Sequence, residues 1–212
     1  MWEVYRKNET CIIKDGTYRI KFYGFNEFAD VDFSVFLLTK DRKLPSDDYL
    51  IFYNSENRLK VNEKGSLVSP LVVTSAMDWA SNDDMRCQSR PVDPEMSVIG
   101  TCDDFYDLEE ELDDYIDFNL LQANKEIVEC IVVASIYDYE RYGGKVKFDN
   151  PYITLTSIGS SDVKTTHYLP DLSGNIGCAE IARFYKLKDH WFFEGLNKIH
   201  RKGLEELLDL YT

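Results

Sequence analysis

A chain of 212 residues with 44% hydrophobic and 14% aromatic residues can bury a substantial core, which excludes a largely disordered protein. Its 38 acidic and 24 basic residues give a formal charge of -14, which repels phosphate backbones and argues against direct nucleic-acid binding. No segment reaches the roughly 20 apolar residues of a membrane span and residues 1–7 lack the apolar stretch of a secretory signal, so we expect a cytoplasmic protein that does not insert into a membrane.

The first half of the chain has the pattern of a meander of short strands. Residues 17–23 alternate polar and apolar side chains, which predicts a strand with one buried face. Residues 32–38 form a more continuously apolar strand, and the charged link 40–48 separates it from another strand predicted over 49–53. The pattern weakens over 55–97, so this stretch is predicted to be an insertion that packs a short strand or a turn of helix onto the body.

The second half adds further strands and one helix. Residues 116–120 predict a strand with one wet face, and 127–136 predict a buried central strand because β-branched residues dominate and charge is almost absent. A strand over 151–158 and a hairpin over 179–196 follow, and apolar residues at helical spacing predict a short amphipathic helix over 203–211. We therefore predict one all-β domain, a two-sheet β-sandwich of mostly antiparallel strands with a short C-terminal helix.

The negative charge is concentrated in one acidic segment. Residues 101–120 contain no Lys or Arg and nine acids, which are Asp103, Asp104, Asp107, Glu109, Glu110, Glu111, Asp113, Asp114 and Asp117. One interpretation is an amphipathic helix over 104–115 whose acids face water, although like charges four residues apart disfavour it. The other is a set of loop carboxylates that share a cation.

Candidates for catalysis are weak. The five cysteines are scattered without the close pairs that hold zinc or exchange disulfides, so we interpret them as reduced packing residues. The three histidines are far apart in the sequence, and no serine or cysteine lies in a nucleophile elbow. These observations favour a protein that is not an enzyme.

Several stretches resemble, in the same order, motifs of the tellurium-resistance TerD family. Residues 30–38, Asp-Val-Asp-Phe-Ser-Val-Phe-Leu-Leu, are similar to the family's Asp-x-Asp-x-Ser-x-Phe-Leu-Leu element. Residues 46–54 are similar to the following Asp-x-x-x-Phe-Tyr-Asn strand. Later matches are 136–138 to Ile-His-Asp, 150–153 to Asn-Ala-Tyr-Ile, 191–193 to Trp-x-Phe and 203–208 to Gly-Leu-x-x-Leu-Leu. The resemblance covers most of the chain except 55–97.

The resemblance implies a β-sandwich linked to tellurite resistance and the stress response, which binds calcium and acts through protein–protein interaction. The partners it implies are other stress-response proteins, including a membrane-associated complex. The family's acidic calcium loop would fall on 102–104 and 112–114. Residues 24–26, Gly-Phe-Asn, stand where the family has Gly-Trp-Asp. With Asn26 and the acids of the first motif, the implied metal ligands are Asn26, Asp30, Asp32, Asp103, Asp104, Asp113 and Asp114.

Two alternatives use the same acids. Calcium takes six to eight oxygen ligands, which carboxylates and amides supply, whereas magnesium keeps several waters and uses one or two carboxylates with substrate phosphates. A metal-dependent hydrolase or nucleotide-processing enzyme with magnesium or manganese is therefore the first alternative. The second is a metal-free interaction domain whose acidic segment binds a basic partner.

Overall fold

The computed structural model describes residues 10–13, 16–25, 31–62, 66–75, 88–102, 114–137, 148, 150–159, 162–169, 172 and 176–212. The strands are β1 (Thr10–Ile13), β2 (Thr17–Tyr23), β3 (Val31–Leu38), β4 (Leu50–Ile51), β5 (Asn57–Lys60), β6 (Val73–Ser75), β7 (Ser89–Pro91), β8 (Val98–Ile99), β9 (Tyr115–Asn119), β10 (Glu129–Ile136), β11 (Tyr152–Ser157), β12 (Val163–Tyr168), β13 (Cys178–Leu187) and β14 (His190–His200). A 3-10 helix spans Asp47–Tyr49, and the α-helix α1 spans Leu204–Tyr211.

The strands form two large sheets and one small sheet. The first sheet has the order β1-β14-β13-β10-β3-β4, and the second has the order β12-β11-β2-β9-β8. The third sheet contains β6, β5 and β7, and the paired strands in all three sheets are antiparallel. A continuous apolar core contains side chains from both large sheets. The predicted all-β sandwich is therefore confirmed, and the small third sheet is an addition to it.

The burial of the central strand β10 explains why its sequence does not alternate between polar and apolar residues. It is buried at every position between β3 and β13. Cys130, Val132 and Ala134 belong to the core between the large sheets, whereas Ile131 and Val133 belong to a second apolar cluster under α1. Because both faces of the strand are covered, its sequence is continuously apolar. The predicted central strand is confirmed.

Helix α1 closes the outer face of the first sheet. Its buried residues Leu207 and Tyr211 pack against β3 and β10, and the ring centroids of Tyr211 and Phe36 are 5.3 Å apart. The helix predicted from apolar spacing is confirmed, and its apolar side covers the face of the sheet that the sandwich core leaves open. In the part of the chain that the structure describes, no helix has both the length and the apolar character to cross a membrane.

The prediction of a strand over 49–53 is wrong except at Leu50 and Ile51, which form β4. Tyr49 ends the 3-10 helix, and only β4 pairs with β3. The chain then turns, because the Phe52 amide donates to Ser55 Oγ at 3.0 Å and the Ser55 hydroxyl donates to the Leu50 carbonyl at 2.9 Å. A serine side chain that bonds nearby backbone groups competes with strand pairing, which explains the early end of β4.

The third sheet comes from the stretch predicted to be an insertion. Arg58 of β5 is completely buried, and its guanidinium donates to Ser89 Oγ at 2.7 Å and to the Tyr53 carbonyl at 2.7 Å. A bridge between Val92 and Ile99 joins the stretch to β8. The described parts of 55–97 thus form short strands that pack on the edge of the second sheet.

The cysteines with described side chains are free thiols. Cys130 and Cys178 are buried, and Cys102 is half-buried. Burial raises the pKa of the Cys130 thiol and raises that of Cys178 to about 12. Both thiols therefore stay protonated and unreactive, as packing residues do.

Gly195 of β14 offers a test of the packing between the two large sheets. A methyl group at this position would overlap the ring of His167 in β12, whose Nε2 lies 3.0 Å from the Leu196 carbonyl oxygen. We expect Gly195→Ala to lower the free energy of unfolding by about 1–3 kcal/mol, as overpacking does. Urea unfolding measures this loss. In a His167→Ala background the same glycine substitution should cost clearly less, and an equal cost in both backgrounds would contradict the contact.

Candidate functional site

The structure describes two of the seven predicted metal ligands. Asp32 lies in β3 opposite Ser135 of β10, and its carbonyl oxygen is 3.5 Å from the Ser135 hydroxyl, which donates to it. Asp114 directly precedes β9, and its carbonyl accepts a hydrogen bond of 3.3 Å from the Phe22 amide. The other five lie outside the described residues, and these are Asn26, Asp30, Asp103, Asp104 and Asp113.

The described ends of the two acid-bearing segments lie at the same end of the sandwich. The ring of Phe22, beside Asp114, stacks on the ring of Phe33 with 3.7 Å between centroids and 14° between planes. Phe33 directly follows Asp32 in β3. One aromatic stack across the two sheets therefore connects the start of β3 with the start of β9. We call this end of the molecule the acidic end.

A group of packed aromatic side chains lies beneath the acidic end. Phe25 contacts Phe33 edge-to-face at 5.1 Å, and it contacts Phe148 at 5.4 Å. Phe22 completes the group through its stack on Phe33. Aromatic pairs of this kind each contribute about 0.5–1.5 kcal/mol beyond their buried area. The strand ends at the acidic end are therefore held in fixed positions relative to one another.

The orientation of Asp32 limits where a shared ion could lie. In β3, Phe33 and Val35 point into the core between the large sheets, whereas Phe36 points to the outer face under α1. Asp32 has the parity of Phe36, so it points away from the second sheet. An ion bound by both Asp32 and Asp114 would therefore lie beyond the ends of the strands. Within the described residues, no group of three or more His, Cys, Asp or Glu side chains is placed to hold a metal.

Asp117 differs from the other acids of the acidic segment. Its two carboxylate oxygens bind two arginines, with Arg19 Nε 2.6 Å from Oδ1 and Arg90 Nη1 2.9 Å from Oδ2. The side chain is buried on the outer side of the second sheet, and the Arg19 guanidinium also lies 3.8 Å from the centre of the Tyr115 ring. Asp117 thus balances the positive charge of the two arginines. The sequence analysis placed it among the nine acids of 101–120 only because it lies near them in the chain.

A second buried charged cluster lies under α1. Glu180 of β13 is 3% exposed, and its Oε1 accepts from His200 Nε2 at 2.9 Å and from Lys198 Nζ at 2.6 Å. His200 Nδ1 lies 3.4 Å from a carboxylate oxygen of Glu206 in α1. Sequence reasoning missed this cluster because its members lie on three separate elements.

The chain is similar to two solved structures over most of its length. The crystal structure of the protein SAV2460, described as of unknown function, gives a TM-score of 0.58 at 10% sequence identity and covers 91% of this chain and 94% of its own. The chain has the fold of SAV2460. The structure of SCO6318 from Streptomyces coelicolor A3(2), described as a homologue of the telluride resistance protein TerD, gives a TM-score of 0.47 at 12% identity and covers 88% of this chain and 90% of its own.

The chain therefore resembles SAV2460 in fold. No protein-family model and no curated protein matches the sequence. Sequence identities of 10% and 12% support similarity of fold only. The relation to the TerD family is therefore a resemblance, and the function of this chain depends on its own residues.

Proposed function

We propose that this chain is a calcium-binding, non-enzymatic module of the TerD type, which acts in the cytoplasmic stress response by docking onto other proteins. The observation that supports the proposal is that Asp32 and Asp114, the described ends of the two acid-bearing segments, lie at one end of the sandwich beside the stack of Phe22 on Phe33. Calcium bound between the two segments would order them into a contact surface for a partner.

Electrostatics supports a cation at this end. Two carboxylates about 4 Å apart repel each other by ~1 kcal/mol in water and by ~4 kcal/mol at an effective dielectric constant of 20. Six acids brought together without a cation would lose much of the stability of a typical domain, which is about 5–15 kcal/mol. The donors on offer are carboxylates and one amide, which are the hard oxygen ligands that calcium prefers.

The surroundings of the described cysteine and histidine side chains support a role without catalysis. Burial raises the pKa values of Cys130 and Cys178, so neither thiol ionises readily. Burial lowers the pKa of His167, and its Nε2 faces a backbone carbonyl oxygen of β14. His200 is enclosed between Glu180 and Glu206 beneath α1. Binding at the acidic end requires none of these groups.

Thermal unfolding with and without calcium tests the proposal. A ligand at a hundred times its Kd stabilises the folded state by about 2.7 kcal/mol, which raises the Tm of a domain of this size by about 5–10 °C. We expect millimolar calcium to produce a rise of this order and EDTA to reverse it. Magnesium should give a smaller rise, since it retains its waters.

A pair of matched variants locates the effect. Asp103→Asn together with Asp113→Asn should abolish the rise in Tm with calcium. Asp189→Asn changes charge in the same way in the turn between β13 and β14, at the opposite end of the sandwich, and should leave the rise intact. An unchanged Tm in millimolar calcium would refute the calcium site. A larger rise with magnesium or manganese would favour the hydrolase alternative.

The docking part of the proposal needs its own measurement. Partners captured from a cell extract by the wild-type chain should be released by EDTA. They should be absent from captures with the Asp103→Asn/Asp113→Asn variant and present with Asp189→Asn. If the captured partners do not change with EDTA or with either variant, docking does not depend on calcium.

A further inference from the structure

A protruding loop interrupts the hairpin of β5 and β6 in the third sheet. The amide of Val68 donates to the Lys60 carbonyl of β5 at 3.0 Å, whereas the preceding residue of β5, Leu59, pairs with Val73 of β6. Residues 69–72 therefore lie outside the pairing of the two strands. We call 68–73, Val-Ser-Pro-Leu-Val-Val, the apolar loop.

Every residue of the apolar loop is exposed. The exposed fractions of its large side chains are 39% for Val68, 46% for Leu71, 57% for Val72 and 37% for Val73. Elsewhere in the described part of the chain, exposed large apolar side chains occur one at a time along the sequence. Single exposed apolar residues are ordinary, whereas a group of them is typical of a surface that contacts a partner.

Strand pairing on both sides holds the apolar loop in place. On one side, Val61 and Leu67 form an antiparallel bridge. On the other side, Thr74 of β6 pairs with Arg58 of β5, which is completely buried. Because both ends of the loop are already fixed, less conformational freedom is lost when a partner binds.

The charges around the apolar loop favour a basic partner. Residues 65–77 contain no Asp, Glu, Lys or Arg, although these residue types make up 29% of the chain. Glu56 and Asp48 are exposed at the end of the hairpin where β5 begins, and Asp48 Oδ1 accepts a hydrogen bond from Asn57 Nδ2 at 3.2 Å. Lys60 is exposed at the other end. The apolar loop thus lies beside two acids and one base, on a chain whose formal charge is -14.

The same charges disfavour a second copy of the chain as the occupant. Two copies would bring formal charges of -14 together, and a large net charge of one sign keeps proteins monomeric. A partner with Lys or Arg residues around an apolar segment is complementary both to the apolar loop and to the acidic chain that carries it.

We propose that the apolar loop docks an apolar segment of another protein that is flanked by lysine or arginine residues. Leu71 and Val72, in the middle of the loop, contact the apolar part of this segment, and Glu56 and Asp48 face its basic residues. The docking uses none of the residues of the calcium proposal, so either proposal can hold without the other.

A fluorescent synthetic peptide of leucine and lysine residues is the probe for this surface. Fluorescence anisotropy in the presence of EDTA should show saturable binding that weakens as the salt concentration rises. A peptide with glutamate in place of each lysine should bind at least about tenfold more weakly, because the acidic chain repels it. Absence of saturable binding, or equal binding of the two peptides, would overturn the proposal.

Substitutions in the apolar loop locate the binding. Leu71→Ser together with Val72→Ser should weaken binding of the leucine–lysine peptide about tenfold or more, because two apolar contacts are lost. Leu121→Ser replaces a side chain that is 67% exposed in the turn after β9, and this variant should bind the peptide as the wild type does. Equal affinity in the two variants would overturn the proposal, since acids elsewhere in the chain would then account for the binding.

Sedimentation velocity without peptide distinguishes another protein from a second copy as the occupant. We expect the wild type to sediment as a monomer over the concentrations used for the peptide titration. Self-association of the wild type that Leu71→Ser with Val72→Ser abolishes would assign the apolar loop to a second copy and overturn the proposal.

Discussion

Replacing Arg90 with alanine should lower the free energy of unfolding by about 3–5 kcal/mol, since removal of one partner from a buried ion pair leaves a charge without full compensation. Arg90 is 2% exposed in β7, and its Nη1 lies 2.9 Å from Asp117 Oδ2 in β9. Its other nitrogens donate to the carbonyls of Gly100 at 2.7 Å, Ile99 at 3.0 Å and Tyr115 at 3.2 Å. One side chain therefore joins the third sheet to the second.

Urea unfolding of three variants separates this contribution from a general effect of losing an arginine. Arg90→Lys keeps the charge without the forked geometry, so it should show an intermediate loss. Arg201→Ala removes an exposed arginine in the turn before α1 and should change the free energy of unfolding by no more than about 0.5 kcal/mol. Equal losses in Arg90→Ala and Arg201→Ala would show that the buried ion pair does not stabilise the fold.

Strands with a regular burial pattern could be predicted from the sequence. Residues 17–23 alternate because one face of β2 packs in the core, and α1 shows helical spacing because one side covers the first sheet. β12 could not be predicted in this way. It lies at the edge of the second sheet, most of its side chains are exposed or half-buried, and its sequence Val-Lys-Thr-Thr-His-Tyr shows no apolar period. β8 is only two residues long, too short for any periodicity.

The candidate sites show a similar division. The acid-rich stretches could be found from composition, and the motif order suggested that two of them meet. The pairing of Arg90 with Asp117 could not be found, because these residues are 27 positions apart and strand pairing decides their contact.

The second large effect is expected from Glu180, which holds α1 on the first sheet. Its Oε1 accepts three hydrogen bonds, from Lys198 at 2.6 Å, His200 at 2.9 Å and the Tyr211 hydroxyl at 3.2 Å. Glu180→Ala should lower the free energy of unfolding by about 3–5 kcal/mol, because it leaves the buried donors of His200 and Tyr211 without their shared acceptor. Glu180→Gln keeps an acceptor oxygen at the same position and should cost less. Urea unfolding at neutral pH compares the two variants.

The same cluster predicts how stability depends on pH above neutrality. Burial, and then the nearby Glu180 carboxylate, raise the pKa of Tyr211 from the ordinary 10.0 to about 12. A folded-state pKa above the unfolded value means that the neutral phenol stabilises the fold fully below pH 10.0, and this contribution is lost as the pH rises towards about 12.

Comparison with phenylalanine variants isolates this contribution from the titration of other tyrosines and lysines. Between pH 10.0 and about 12 the free energy of unfolding should fall more steeply for the wild type than for Tyr211→Phe, which has no phenol to ionise at this position. Tyr137→Phe removes a phenol that is 55% exposed, so it should follow the wild-type curve. The prediction fails if Tyr211→Phe and the wild type lose stability in parallel. The Tyr211 phenol would then have the same pKa in the folded and unfolded chains, and the cluster under α1 would be open to water at high pH.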